Sequence, residues 1–341
     1  MDGPTLFDDD LLPSAFATAG AAGPVAPEAA PSPPPGATAP PRTDLLAVDG
    51  DGLAHRAFHA GAGGGPVAGF LSLLAGVAER APAEGLLVAF DSRERSHRRE
   101  RYPAYKAQRA EKPPELEALL LTLPEAAAEL GLAVAVAEGW EADDVVASAA
   151  AAVESEGGRA VVATADRDAL CLVSAATTVL ALRGGGVAPV RMTPGRLRRD
   201  LGVDPAQYLE FAALRGDRSD NLPGVHGIGP RRAAALLAAY PSVAEAVADP
   251  LGCRSVLGPE VGQALLDDLA SGEDSVFRRN VALMTPRRDL PVDLAASRRR
   301  PSAAHLSQRC SAWGVGRTAA RLAAAVAARP EAPQPPSGPP D

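Results

Sequence analysis

Four short apolar runs punctuate the chain: "DLLAVDG", "GLLVAFDS", "LAVAVAEG" and "RAVVATAD". Each is four to six residues of mostly Ala, Leu and Val closed by Gly or an acid, which predicts a buried β-strand. Between them lie longer stretches with apolar residues at helical spacing, such as "VAGFLSLLAGVAER" and "DDVVASAAAAVESEG". Strand–helix alternation predicts an α/β fold whose mainly parallel sheet is flanked by helices. In such sheets a ligand site lies beyond the carboxyl ends of the strands. Three of the four runs end there in an acid: Asp49, Asp91 and Asp166.

The pattern fades at both ends. Residues 1–43 carry ten prolines, including "PSPPPGATAPP", and predict a disordered tail with too little apolar content to offset the entropy of ordering. Its "TLFDDDLL" reads as sequence noise before it reads as a docking peptide for an unknown partner. Residues 329–341 predict a second Pro-rich disordered tail. No apolar run is long enough to span a bilayer, and the acidic, Pro-broken N-terminus is unlike a secretion signal. Cys171, Cys253 and Cys310 stand far apart without metal-ligand spacing, as expected of reduced thiols in a cytoplasmic protein.

Composition changes the picture once charge is placed along the chain. Of 341 residues 46% are apolar but only 4% aromatic, so the core is built of Ala, Leu and Val. The net charge of −8 argues at first against nucleic acid. Yet much of the acid is concentrated. Glu141, Asp143 and Asp144 fall within four residues at the mouth of an Ala/Val helix, where one or two would suffice for the helix dipole. "TADRDAL" supplies Asp166 and Asp168. "ALRGDRSDNLPGV" supplies Asp217 and Asp220, three apart and so on one side of a helical turn. Together with Asp49 and Asp91 these form an oxygen-only set with no His or Cys companions, which suits Mg²⁺, with Mn²⁺ as a substitute. Metal-free, such a cluster should carry raised pKa values. Two divalent ions about 3.5–4 Å apart would support in-line phosphoryl displacement, here phosphodiester hydrolysis.

Two further stretches face a polyanion. "GVHGIGPRRAAALLAAY" offers Gly224, Gly227 and Gly229 in a hairpin that leads into a helix, with Arg231 and Arg232 beside it. Backbone amides of such a loop can cradle a phosphate without reading bases. "SRERSHRRERYPAYKAQRAEK", residues 92–112, holds eight Lys or Arg against three acids, with Tyr102 and Tyr105 between. Basic and aromatic interleaving suits a single strand. Both lysines of the chain, Lys106 and Lys112, lie here.

Taken in order, "VDGDGLAHRAFHA", "FDSRERSHRRERYPAYKAQR", "EADDVVAS", "TADRDALCLV" and "GDRSDNLPGVHGIGPRRAA" resemble the 5′→3′ exonuclease domain of bacterial DNA polymerase I and, more widely, the flap endonucleases. The resemblance covers about residues 44–245. It implies a PIN-like (resolvase-like) nuclease domain over 44–190 with a helical arch at about 92–125. It implies a helix–three-turn–helix subdomain over 191–300, followed by a C-terminal helical segment at 301–328. It implies that Asp49, Asp91, Glu141, Asp143, Asp144, Asp166, Asp168, Asp217 and Asp220 hold two Mg²⁺. Lys106, Arg98 and Arg109 match arch positions that engage the scissile phosphate. Tyr105, Lys112 and the glycine hairpin are expected to bind DNA, with K⁺ as a further ion at Gly224–Gly229.

The expected substrates are DNA with 5′ flaps, nicks or 5′ ends, RNA-primed DNA among them, in replication primer removal or repair. A monomeric, stand-alone enzyme of the nucleoid is expected, since the sequence leaves no room for a polymerase. His97, Cys171, Arg232 and Arg167 depart from the family's usual residues without removing a metal ligand. Competing readings are a non-catalytic structure-specific DNA-binding protein, a ribonuclease, and an aspartyl-phosphate phosphatase suggested by "VDGDG". The last leaves the hairpin and basic stretch unused.

Overall fold

The computed structural model describes residues 43–61, 65–184, 187–313 and 315–327. The Pro-rich tails expected at 1–43 and 329–341 lie outside the described residues, apart from Thr43.

The four apolar runs form β1 (Leu45–Asp49), β2 (Gly85–Phe90), β3 (Ala133–Val136) and β4 (Ala160–Thr164). Two more strands complete the sheet, β5 (Thr177–Ala181) and β6 (Val190–Met192). The order is β3-β2-β1-β4-β5-β6, parallel throughout except for antiparallel β6 at the edge. From β1 the chain builds outward to β2 and β3, then returns to place β4 on the other side of β1. The carboxyl ends of β1 and β4 therefore flank a topological switch point, the crevice where open α/β sheets bind ligands. β3 departs from the expectation of a buried strand. It is the edge opposite β6, and Val136 is 52% exposed.

Period-two alternation divides each strand between two cores. Leu46, Val48, Leu86, Val88, Phe90, Val161 and Ala163 pack with α1 (Gly50–His59), α2 (Gly65–Arg80) and a further helix, Pro114–Glu129. Leu45, Ala47, Leu87, Ala89, Ala160 and Val162 face the other way, toward a helix at Ala142–Ser155 and the helices that follow the sheet. Because that second core runs without a break from the sheet into residues 197–294, the C-terminal helices are anchored through it.

The basic stretch begins as the short helix α3 (His97–Arg101) and crosses in turns to α4 (Pro114–Glu129). The arch expected at 92–125 is thus shorter as an exposed feature. From Leu116 onward α4 buries Leu119, Leu120 and Leu123 in the core beneath α1. After α5 (Ala142–Ser155) and α6 (Pro194–Leu201) comes α7 (Tyr208–Arg215), followed by a two-rung hairpin of β7 (Gly216–Asp217) and β8 (Leu222–Pro223). The glycine loop then leads into α8 (Pro230–Ala239). Helices α9 (Val243–Ala248), α10 (Pro250–Leu257), α11 (Pro259–Ala270) and α12 (Val276–Met284) complete this bundle. The chain returns to the base of the sheet with α13 (Leu294–Arg298), and the pair α14 (Ala303–Ala312) and α15 (Gly316–Ala327) covers α2. Among the described residues no helix is long and apolar enough to cross a membrane.

Glycine is required where the β7–β8 hairpin closes. A Cβ on Gly224 would lie 2.2 Å from the Arg215 carbonyl oxygen, whereas one on Gly229 would meet nothing within 4 Å. Gly224→Ala must therefore displace backbone and is expected to lower Tm by several degrees or more, an effect of about 1–3 kcal/mol. Gly229→Ala should leave Tm within a degree or two. Equal Tm values for the two variants in a thermal melt would contradict this account of the hairpin.

Candidate active site

Four strand ends and two helix starts deliver the acids. Asp49 closes β1 and caps α1, accepting from the Gly52 amide at 2.8 Å and from the Thr164 hydroxyl at 2.9 Å across the switch point. Asp91 follows β2 and accepts from the Ala142 amide at 2.8 Å, which ties it to the first turn of α5. Asp166 follows β4, and its carboxylate accepts from the Asp168 amide at 2.8 Å. Asp217 ends β7 and caps a 3₁₀ turn that contains Asp220, rather than sharing an α-helical turn with it. A cleft lined by Tyr105, Glu141, Asp143, Asp166, Asp168 and Asp220 opens over this edge.

Repulsion sorts these acids into two groups. Asp49 feels Asp91, and Asp91 feels Glu141. Asp168 feels Asp166, Asp217 and Asp220. Asp143 joins the groups, since its strongest neighbours are Asp166 and then Asp49. Burial and this repulsion push Asp49 up to about 7, and Asp91 and Asp166 up to about 6. Asp143 and Asp168 are raised well above the usual carboxylate range for the same reasons. One oxygen of each, Asp143 Oδ1 and Asp168 Oδ1, is buried without a hydrogen-bond partner. Orphaned acceptors in an oxygen-only set fit a hard divalent cation. The fit is one of composition and charge. Among the described residues no three ligand-type side chains already converge on a single point.

Cations hold the front of the site. The Lys106 ammonium lies 2.9 Å from Glu141 and 3.8 Å from Asp220, so it touches both groups. Its backbone has φ +56°, unusual for a residue with a side chain, and its amide donates to the Asp220 carbonyl at 3.0 Å. Arg109, exposed, pairs with Asp220 at 2.6 Å. Gln108 and Asn221 add hydrogen bonds between the crossing and the Arg218–Asn221 turn. Burial alone would raise Glu141, but Lys106 and Arg98 hold it below the ordinary value.

Three expectations are corrected. Asp144 is not free to ligate a metal. It is fully buried, and its two oxygens accept from both Arg98 Nη atoms at 2.5 and 2.9 Å, from the Glu141 amide at 3.1 Å and from the Arg287 amide at 2.9 Å. Arg98, expected at the scissile phosphate, is occupied by that pairing and by the Leu283 carbonyl, with only 9% exposed. It is a positioning residue. Tyr105 cannot stack on a base either: it is 4% exposed and donates its hydroxyl to Glu141 at 3.1 Å. One site residue escaped sequence reading. Asp51, buried, accepts from the Asp91 amide at 2.7 Å and pairs with Arg93, and "VDGDG" was its only signal.

The hairpin expectations fall on one exposed ridge. Gly227 has φ +76° and, with Gly229, is exposed, while Gly224 is half-buried at the β7–β8 closure. The α8 N-terminus at Gly229 lacks a side-chain cap, which leaves the Arg231 and Arg232 amides without an intrahelical partner, Pro230 having no N–H. Arg231 is exposed, and Arg232 donates to the Gly227 carbonyl at 2.8 Å. Lys112 is exposed on the crossing, away from the acid pairs that hold Lys106. Of the unusual residues, His97 packs on Trp140 at 4.6 Å between ring centroids, and Cys171 is a half-buried thiol whose pKa is pushed up to about 12 by desolvation.

Residues 44–201 match the family described as 5′-3′ exonuclease, N-terminal resolvase-like domain, and residues 203–305 match its C-terminal SAM fold. The chain belongs to the 5′-3′ exonuclease family. Its resolvase-like sheet with a separate helical subdomain is the architecture expected from the sequence. DNA polymerase I of Mycobacterium tuberculosis is 38% identical over 258 residues, covering 73% of this chain and 28% of that protein. The chain thus spans under a third of that relative. The T5 D15 protein, co-crystallised with metal ions, has a TM-score of 0.59 at 19% identity, over 81% of this chain and 99% of that one. The catalytic core of Rad2 in complex with DNA substrate has a TM-score of 0.52 at 15% identity, over 84% and 92%. At those identities the two structures speak for the fold of this exonuclease-family chain.

The raised carboxyls give stability a definite pH dependence. Folded Asp49, Asp91 and Asp166 keep protons that the unfolded chain releases from about pH 4. Their contribution is full below the unfolded value and is lost as pH rises through about 6 to 7. Glu141, depressed, acts only below that window. In chelator, Tm should fall between about pH 5.5 and pH 8, and Mg²⁺ should restore it most at the higher pH. A Tm in chelator that is flat or rises over this range would contradict the assignment. Substitution separates the neighbours on α5. Asp143→Asn should raise the metal-free Tm by removing repulsion, whereas Asp144→Ala should cost about 3–5 kcal/mol by stranding the Arg98 guanidinium.

Proposed function

We propose that this chain is a structure-specific 5′→3′ exonuclease and 5′-flap endonuclease that hydrolyses DNA by a two-metal-ion mechanism. The observation that carries the reading is Lys106. An ammonium from the basic crossing reaches into a buried carboxylate site and touches both of its halves. Asp49, Asp91, Glu141 and Asp143 would hold one ion, and Asp166, Asp168, Asp217 and Asp220 the other. Bound there, the ions would supply a lowered pKa for water and stabilise the attacking and leaving oxygens of an in-line displacement.

The chain's own residues supply the rest. Lys106 sits between the two groups, where a scissile phosphate would neutralise its charge as effectively as Glu141 does now. Its left-handed backbone and the hydrogen bond its amide donates to the Asp220 carbonyl fix its approach, so little ordering remains to be done at the moment of reaction. Arg109, more exposed, is placed to meet the strand that passes under the crossing. The uncapped α8 N-terminus and Arg231 form a second anchor that grips backbone without reading sequence. Two anchors, one over the acids and one on the helical subdomain, suit a junction between single strand and duplex. Metal-bound T5 D15 protein and DNA-bound Rad2 are consistent with this assignment.

The decisive comparison uses a 5′-flap substrate at saturating enzyme. Cleavage should require Mg²⁺ or Mn²⁺ and stop in chelator, with nicked duplex cut at its 5′ end and unstructured single strand cut poorly. Lys106→Ala should lower single-turnover cleavage roughly 10²-fold or more, on the scale of a lost oxyanion donor. Lys106→Arg should recover part of that loss. Lys112→Ala should weaken binding modestly and reduce the salt slope by about one, with chemistry unchanged. Equal single-turnover rates for Lys106→Ala and Lys112→Ala would reduce Lys106 to one member of a basic surface.

A further inference from the structure

Beside the second acid group lies a half-buried arginine that the proposed chemistry does not use. Arg215 ends α7, directly before Gly216 and Asp217. Its Nε donates to the Gly216 carbonyl at 3.0 Å, its guanidinium lies 5.6 Å from the Phe211 ring centroid, and its Nη2 is buried with no hydrogen-bond partner. Asp168 and Asp217 are the carboxylates within its electrostatic reach, yet among the described residues no ion pair joins it to either. Asp168 Oδ1 is likewise buried and unpartnered. An orphaned donor and an orphaned acceptor therefore lie within electrostatic reach of one another without pairing. A structural ion pair would have closed that gap, because a buried charge left without its partner is costly. The separation leaves Asp168 available to a cation while keeping a positive charge close by.

We infer that Arg215 is a fixed counter-charge that weakens divalent-cation binding at Asp166, Asp168, Asp217 and Asp220. The inference rests on the proposal that this group holds one of two ions. The first acid group has its exchangeable cation in front, Lys106, where a substrate or side-chain motion can relieve it. Arg215 instead is held by its Nε bond to the Gly216 carbonyl and by the Phe211 ring under its guanidinium, and has no carboxylate partner among the described residues to exchange. The two ions should accordingly differ in affinity, with the second exchanging more readily. Arg215 repels protons as well as metal ions. A divalent ion carries twice the charge of the proton it displaces, so removal of Arg215 favours the metal.

The test counts free Mn²⁺ by electron paramagnetic resonance on the full chain without DNA at about pH 8, so no turnover enters the reading. Wild type should show two classes of site. In Arg215→Gln and Arg215→Met the weaker class should tighten on the order of tenfold, the scale of one unit charge acting on a divalent ion through several ångström of well-screened protein. Glutamine keeps a polar end and methionine keeps the stem over Phe211, so the pair guards against one variant failing to fold. Arg215→Lys, which keeps the charge, should stay within about threefold of wild type. Unchanged affinity in the neutral variants, or equal tightening in Arg215→Lys, overturns the role of the charge. Failure of the underlying two-ion reading looks different: wild type would then bind no more Mn²⁺ than Asp168→Asn.

Discussion

Carboxylates brought together at the carboxyl edge of a parallel sheet repel one another, and the rest of the molecule is arranged around that repulsion. The topology makes the crowding unavoidable. Strands β1 and β4 run side by side and end at the switch point, so Asp49 and Asp166 arrive there from chain segments far apart in sequence. The first turn of α5 adds Glu141 and Asp143, and the β7–β8 hairpin adds Asp217 and Asp220. Burial makes each charge worse by removing the water that would screen it. Several of these acids respond by holding protons near neutral pH, which relieves the repulsion that a divalent ion would relieve in their place.

The protein's own cations answer this charge in two ways. Arg98 is deepest. By joining Asp144 to the Leu283 carbonyl it pins α3, α5 and the end of α12 to one another. The loop that follows contributes the Arg287 amide to the same carboxylate, so the helical subdomain is locked to the nuclease sheet at the acid site itself. Lys106 and Arg109 lie nearer the surface, bound to acids that a metal or a phosphate could take over. Completeness of bonding, more than depth, thus separates permanent pairings from exchangeable ones. The tetradentate environment of Asp144 shows what a finished pairing looks like, and the partnerless oxygens of Asp143 and Asp168 show the opposite.

Sequence pattern carried most of the sheet and much of the site, and its failures have physical reasons. The four Ala/Leu/Val runs are legible because a strand covered on both faces must be apolar at every position. β5, "TTVLA", was passed over because its two threonines break that uniformity. In the structure Thr177 is buried and bonded to Glu154 at 2.6 Å, so the polar atoms are satisfied locally. Asp143 and Asp144 are adjacent and chemically identical, and no pattern of apolar residues says which will meet Arg98. That depends on α3 arriving from 43 to 47 residues upstream. Tyr105 misled for a similar reason. A tyrosine inside a basic stretch resembles a stacking surface until the chain turns it inward to Glu141. Asp51 was hidden by its ordinary role as an acid in the first turn of α1.

A division of labour follows from where the two anchors sit. The glycine ridge and α8 belong to the helical subdomain, while Lys106 and Arg109 belong to the crossing over the sheet. They are not independent bodies. Lys106 and Arg109 hold the carbonyls and carboxylate of the Ser219–Asp220 turn, and that turn is closed by the same hairpin whose Gly224 packs on the Arg215 carbonyl. A load on the ridge would therefore bear on the backbone that positions Asp217 and Asp220. The coupling is short, running through one two-rung hairpin with a glycine on each side that tolerates no Cβ. A hairpin so constrained has little freedom to absorb a displacement and must pass it on to the acids at its end. The ridge and the second acid group are thus mechanically joined through the close crossing of Gly216 and Gly224.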